Sequence, residues 1–421
     1  MNSTIYVIGT LDTKGRELTF IADCIRAAGA KAVLVDVSTT SPAQGKSDIS
    51  CQDVAAFHLE GKGAVLGISD RGRAVTAMSE ALPHFLVREF ESGKLDGVIG
   101  IGGTGGTALL SPAFRRLPVG VPKVLVSTVA SGNTTPYVGT SDFTMVNSVV
   151  DVAGLNRVSS KVLANAAHAI SGMVLHSPPL IHSKPAAGMT MFGVTTPCVT
   201  NVREILEKCG WDCLVFHATG TGGQAMEKLA SSGMISALLD LTTTEVADEV
   251  IGGVFRAGPG RFDLLAKMEI ACVMSLGALD MVNFGAMDTV PQQFRERHLH
   301  VHNPHVTLMR TTPEENRAFA RWMAPKLNRS KGPLTLLIPE KGVSALDATG
   351  QPFYDPEADA ALFDELEKLI ECTETRSLLR IPHHLNDPEF AQEVVDAFNA
   401  FTKPALASGV ASLMAMGTQE S

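Results

Sequence analysis

Short apolar runs alternate along this chain with longer stretches in which apolar positions recur every three or four residues. The runs at 4–9, 32–37, 97–101 and 123–127 are nearly continuous in Val, Ile and Leu. Such runs mark strands buried on both faces of a parallel sheet. Helical periodicity fills 15–28, 71–90, 107–117 and 151–175, while 39–66 breaks the rhythm and reads as an excursion from the sheet. Ser177-Pro-Pro-Leu-Ile-His-Ser-Lys-Pro185 then reads as a linker, because proline cannot continue a helix interior or donate to a ladder. The alternation restarts beyond it, with strands expected at 188–195, 213–217, 235–241, 271–276, 305–310, 334–339 and 377–381. Helices are expected at 201–209, 224–232, 313–327, 358–372 and 388–401. The pattern is that of an α/β protein in two halves, 1–180 and 186–421, each a mostly parallel sheet with helices on both faces.

The densest chemical signal lies where the run at 97–101 ends. Gly102-Gly-Thr-Gly-Gly-Thr107 leads from a strand into a helix, the arrangement that aims backbone N–H groups and a positive helix end at an anion such as phosphate. Gly102, Gly103, Gly105 and Gly106 give access to positive φ and remove Cβ atoms from the path of a ligand, with Thr104 and Thr107 adding hydroxyls. The bland alternative is a tight strand–helix join. Gly100-Ile-Gly-Gly-Thr-Gly105 satisfies the dinucleotide pattern formally, but it follows the third strand and the next strand ends in Ser-Thr instead of an acid. An NAD site is therefore disfavoured, and no Walker sequence is present. Thr219-Gly-Thr-Gly-Gly223 echoes the loop after a strand of the second half, which fits either duplication of one α/β unit or common turn chemistry.

Two further loops belong to neighbouring strand ends. In Gly9-Thr-Leu-Asp-Thr-Lys-Gly15, Lys14 suits a phosphate, Asp12 a metal or ribose hydroxyl and Thr10 a phosphate oxygen. Capping of the next helix by Asp12 or Thr13 is the alternative. Asp36 ends the second strand, as a ribose ligand or a turn residue. Ser127 opens a polar loop through Ser131 and Gly132 that can complete a phosphate or ribose pocket, and Asp142 beyond it can hold Mg²⁺. In the second half His298, His300 and His302 share one face of an extended segment, which suits a divalent ion or simply a polar strand edge. Glu340, Lys341 and Asp347 crowd one loop and suit acid–base chemistry, anion binding or a salt-bridged turn. Asp240 and Glu245 flank another strand end with the same ambiguity.

Composition narrows the classes. The 421 residues are 45% hydrophobic and 19% charged, with a net charge of −9 and no basic run, which argues against nucleic acid as a partner. No apolar run approaches the ~20 residues of a membrane span, and the N-terminus lacks a signal-peptide pattern. Seven scattered cysteines without a paired Cys-x-x-Cys motif fit reduced thiols in the cytoplasm.

Six strings in order along the chain resemble the ATP-binding domain family typified by the inhibitory N-terminal region of the tomato mosaic virus resistance protein, which has many bacterial relatives. They are Gly9-Thr-Leu-Asp-Thr-Lys-Gly15, Gly102-Gly-Thr-Gly-Gly-Thr107, Val194-Thr-Thr-Pro-Cys-Val199, His300-Val-His302, Met309-Arg-Thr-Thr312 and Pro339-Glu-Lys-Gly-Val-Ser-Ala-Leu-Asp347. The resemblance implies two Rossmann-like subdomains, ATP in the N-terminal one, and a homodimer. It implies no settled reaction, and virus inhibition is not carried over. The expectation is an ATP-binding protein, with Mg²⁺, using the loops 10–14, 102–107 and 127–135. It would act on a small metabolite between the subdomains, with Glu340, Lys341 and Asp347 or the histidine segment facing that cleft. The alternatives are an ATP-regulated binding module and a metal-assisted lyase or hydrolase centred on the second half.

Overall fold

The computed structural model describes residues 3–39, 45–176 and 184–417, with side chains to 402. The proline-rich stretch expected as a linker falls outside the described residues at 177–183. The chain divides into two compact units, Met1–Ile181 and His182–Ser421.

In the first unit the elements run β1 (Thr4–Gly9), α1 (Leu11–Ala27), β2 (Lys31–Asp36), α2 (Cys51–Ala55), α3 (Arg71–Glu91), β3 (Gly97–Gly102), α4 (Thr104–Arg116), β4 (Lys123–Ser127), α5 (Thr135–Val138), β5 (Thr144–Asn147) and α6 (Ser159–Leu175). The strands form one parallel sheet in the order β2-β1-β3-β4-β5. Strand side chains alternate between faces. Ile5, Val7, Ile99, Ile101, Val124 and Val126 pack with α1 and α6. Tyr6, Ile8, Val33, Val35, Val98 and Leu125 pack on the other face with α3 and α4. At Gly100 an added Cβ would lie 2.6 Å from Leu110 Cδ1, so glycine lets α4 lie close on the sheet.

The second unit runs β6 (Ala186–Met191), α7 (Thr196–Lys208), β7 (Asp212–His217), α8 (Gly222–Ser231), β8 (Ala237–Thr242), α9 (Thr244–Ile251), β9 (Ala271–Gly277), β10 (Met281–Phe284), β11 (Leu299–Asn303), β12 (Val306–Arg310), α10 (Pro313–Leu327), β13 (Leu334–Pro339), α11 (Pro356–Leu369), β14 (Arg376–Ile381) and α12 (Pro388–Gly417). Its parallel sheet has the order β7-β6-β8-β9-β13-β14. Inserted between β9 and β13 is an antiparallel sheet, β10-β12-β11. Leaving out that insert, both units wind second–first–third–fourth–fifth, and the second adds a sixth strand. Both are thus Rossmann-like α/β units with helices on the two faces.

Several expected boundaries move, with α1 beginning at Leu11 instead of 15 and α7 at Thr196 instead of 201. The helix expected from 107 begins at Thr104, so Gly105 and Gly106 lie in its first turn. The helix expected from 151 begins at Ser159, because Asn156 Oδ1 takes the N–H groups of Val158 and Ser159 at 2.9 Å and holds the preceding loop. The strand expected through 195 stops at Met191, where Phe192 N–H donates to Thr195 Oγ1 at 3.0 Å. Edge strand β5 was not expected, since Thr144-Met-Val-Asn147 is partly exposed and carries no apolar run.

Candidate functional site

A doubly wound sheet offers a crevice at the carboxyl ends of its strands, where the winding reverses. In the first unit that place lies between β1 and β3, which are followed by Gly9–Lys14 and by Gly102–Thr107. The loop after β4 adjoins, since Gly102 is in register with Ser127 and Thr128 N–H donates to the Gly102 carbonyl at 3.3 Å. Three of the expected loops therefore meet at one edge.

Two helices point their N-termini at this edge, and their free N–H groups differ in fate. At α1, Leu11 N–H donates to Asp36 Oδ1 at 3.1 Å and Asp12 N–H to Ser38 Oγ at 3.0 Å. The same Asp36 oxygen accepts from both the N–H and the hydroxyl of Ser38. Asp36 is buried and organises the first turn of α1. Thr10 Oγ1 and Thr13 Oγ1 share a hydrogen bond of 2.8 Å. Asp12 is buried, and Lys14, where α1 kinks, donates to the Val152 carbonyl. Glu17 fixes the same loop by accepting from Gly154 N–H at 2.5 Å.

At α4 the capping position is Gly103, with no side-chain cap. None of Gly102, Gly103, Gly105 and Gly106 has a positive φ, contrary to expectation. Gly102 is needed for packing, because a Cβ there would lie 2.8 Å from Gly106 Cα. Gly103 and Gly105 have no such need. A Cβ on Gly103 would come no closer than 3.8 Å, to Thr128 Oγ1, and one on Gly105 would meet nothing within 4 Å. Thr104 and Gly105 are exposed, whereas Thr107 is buried and shares a 2.6 Å hydrogen bond with Ser127, tying the first turn of α4 to the end of β4. Ser131 and Gly132 are exposed on the adjoining loop. The result is an uncapped, positively polarised helix end with open space where side chains would otherwise stand.

Asp142 does not join this edge. It precedes β5 and pairs at 2.8 Å with Lys123, the first residue of β4, at the amino end of the sheet. Burial opposes its ionisation, but the Lys123 ammonium and the Gly120 N–H outweigh burial and hold its carboxyl below the usual range. Among the described residues no group of three or more His, Cys, Asp or Glu is arranged to hold a metal ion.

The candidates of the second unit separate. Glu340 and Lys341 are exposed, Glu340 beside Arg380 at 3.7 Å, whereas Asp347 is wholly buried. Asp347 Oδ2 accepts from Val343 N–H at 2.9 Å and closes its own loop. His300 and His302 lie on edge strand β11, and the rings of His298 and His300 stand 5.3 and 6.0 Å from that of Phe353.

Two buried charge clusters gather residues that the sequence offered only singly, Asp347 in one and Asp240 and Glu245 in the other, because their remaining members come from distant elements. Arg310 Nη2 donates to Asp359 Oδ1 at 2.7 Å and lies 3.5 Å from Asp347 Oδ1, while Ser344 Oγ donates to Asp280 Oδ2 at 2.8 Å. Burial, with the Asp280 and Asp359 charges, pushes Asp347 up to about 9. Burial raises Asp280 to about 6 against the pull of Arg310. Two of the matching strings supply members of this cluster, Met309-Arg-Thr-Thr312 with Arg310 and Pro339–Asp347 with Ser344 and Asp347. Arg261, also buried, holds Glu227 and Asp240 at 2.6 Å and Glu245 at 3.3 Å.

Residues 3–179 match the description "Uncharacterised protein family (UPF0261) N-terminal domain", and 184–402 match its C-terminal domain. The chain is 54% identical over 400 residues to a UPF0261 protein of Rhizobium meliloti (strain 1021), covering 95% of this chain and 99% of that one. It is 52% identical over 390 residues to a UPF0261 protein of Mesorhizobium japonicum, covering 93% and 97%. The ToMV resistance protein Tm-1 of Solanum lycopersicum is 47% identical over 417 residues, covering 94% of this chain and 55% of that longer protein. The chain belongs to the UPF0261 family.

Proposed function

We propose that this is an ATP-binding protein whose first unit receives the phosphates at the N-terminus of α4. One observation carries the reading: Gly103 and Gly105 sit at an uncapped helix end although neither backbone conformation nor packing requires glycine there. Backbone N–H groups and the helix dipole together favour phosphate at such an end. Thr104 from the helix and Ser131 from the loop after β4 supply hydroxyls at the rim. Lys14 and Asp36 are already engaged inside the fold and serve as supports of the edge. Mg²⁺ would be held chiefly through the nucleotide phosphates, and no step is assigned to it.

Acid–base chemistry by the loop after β13 finds little support, because Glu340 and Lys341 are exposed while Asp347 is buried. Binding is thus the core of the reading. Calorimetric titration with ATP tests it on the wild type and on Gly103→Val. The variant keeps its fold, since its Cβ meets no protein atom closer than 3.8 Å, and loses ATP affinity. Undiminished affinity in the folded variant would sink the assignment. Release of ADP or pyrophosphate on screening with small metabolites would add turnover to it.

A further inference from the structure

Val149 follows β5 with φ +65°, one of three non-glycine residues at positive φ among those described. A β-branched side chain rarely adopts this conformation. Phe262 and Ala278, the other two, are buried at 1% and 0% exposure, where packing accounts for them. Val149 is 69% exposed, so no packing within the fold holds it there. The turn is fixed from its flanks instead. Val149 N–H donates to Asn147 Oδ1 at 3.1 Å, Ser148 Oγ to the Val150 carbonyl at 2.7 Å, and Ser148 N–H to the Ser127 carbonyl at 3.2 Å. A strained backbone thus presents an apolar side chain to solvent at the same sheet edge as the open end of α4. Strand β5 lies two strands from β3 in the sheet order, about 10 Å at ordinary strand spacing, which is the reach of a nucleoside beyond its phosphates.

We propose that Val149 is the seat for the base of the nucleotide whose phosphates α4 receives, an inference that rests on the ATP-binding reading above. An apolar side chain on a fixed turn packs against the face of an adenine ring by burial and dispersion and makes no demand on its hydrogen-bonding edge. Titration of the wild type, Val149→Gly and Val149→Asn with ATP and, separately, with inorganic tripolyphosphate tests it. Glycine and asparagine both tolerate the left-handed conformation, so each variant keeps the turn. Both variants bind ATP about tenfold more weakly, the loss of one buried apolar contact, and bind tripolyphosphate as the wild type does. Unchanged ATP affinity in the variants overturns the base seat, as does an equal loss for both ligands. A wild type that binds tripolyphosphate as tightly as ATP overturns the base seat while leaving the phosphate seat intact. A wild type that binds neither removes both.

Discussion

The two units carry nearly the same glycine string after a strand, and the structure uses the two strings in opposite ways. In the second unit Gly220 has φ +87°, an added Cβ on Gly222 would lie 2.0 Å from the His217 carbonyl oxygen, and one on Gly223 would lie 2.2 Å from Arg261 Nε. All three glycines are needed for the chain to fit itself. The anion at this helix end is already present, because Glu245 Oε1 accepts from Gly220 N–H at 2.9 Å and Gly223 N–H at 3.3 Å. Its other oxygen faces Arg261. The loop in the first unit has the same polarity but no internal carboxylate and no steric reason for Gly103 or Gly105. A helix end that supplies its own anion is a structural joint; one left open at the winding reversal is a place for a ligand. The loops also differ in position, since 102–107 follows the third, central strand of its unit and 219–223 follows the edge strand β7. Their likeness is therefore turn chemistry. The shared strand order is the better sign that the two units are related.

The sharpest way to break this contrast is to put one methyl group at each loop. Gly223→Ala drives a Cβ into a wholly buried ion pair that has nowhere to move, at 2.2 Å from Arg261 and 2.4 Å from Glu245. Urea unfolding is expected to show a loss of about 3 kcal/mol or more, in the range of overpacking added to a disrupted buried charge. Gly103→Ala has open space and is expected to change stability by less than about 1 kcal/mol. Similar losses in both variants would erase the distinction on which the ATP site rests.

The second test empties the filled seat. Glu245→Ala leaves two N–H groups and part of the Arg261 guanidinium without their acceptor, at a cost of about 3 kcal/mol. Made in a Gly103→Val background, it leaves the α8 end as the vacated anion seat. Added sulfate is then expected to raise the unfolding midpoint of the double variant more than that of Gly103→Val alone, as ligand linkage requires. No differential effect of sulfate would mean that the α8 end is not an anion seat.

Much of the fold was legible because buried parallel strands write themselves as apolar runs, and β1–β4 fall where those runs lie. Strand β5 and the β10-β12-β11 sheet were less so, since an edge strand such as Thr144–Asn147 keeps polar, partly exposed positions. The site was legible by loop but not by residue. Three glycine- and hydroxyl-rich loops do meet at one sheet edge, yet sequence could not separate Gly102, needed for packing, from Gly103, which is not. Nor could it foresee that Asp36 turns inward onto α1, or that Asp142 lies at the far end of β4. Those outcomes depend on which side chain reaches which backbone group across the sheet, and neighbouring residues carry no trace of it.

The contrast also locates the pH response. The second unit keeps its own anions inside, and with Asp280, Asp347 and Asp359 gathered around the single Arg310 it must hold at least one of them as an acid. Asp347, at about 9 in the fold against an ordinary 3.8, stabilises the native state when protonated. That contribution is complete below about pH 4 and is lost as pH rises towards 9. Asp280, at about 6, and Asp248, raised by burial to about 7, act in the same direction and are exhausted earlier. Urea stability should therefore fall between pH 7 and 9. Asp347→Asn keeps an acceptor for Val343 N–H and a donor towards Asp359 but cannot ionise. It should flatten that fall by up to about 1.4 kcal/mol per pH unit, the limit for one proton. An unchanged slope in the variant would assign the titration to another group and leave the acid-holding cluster without its proton.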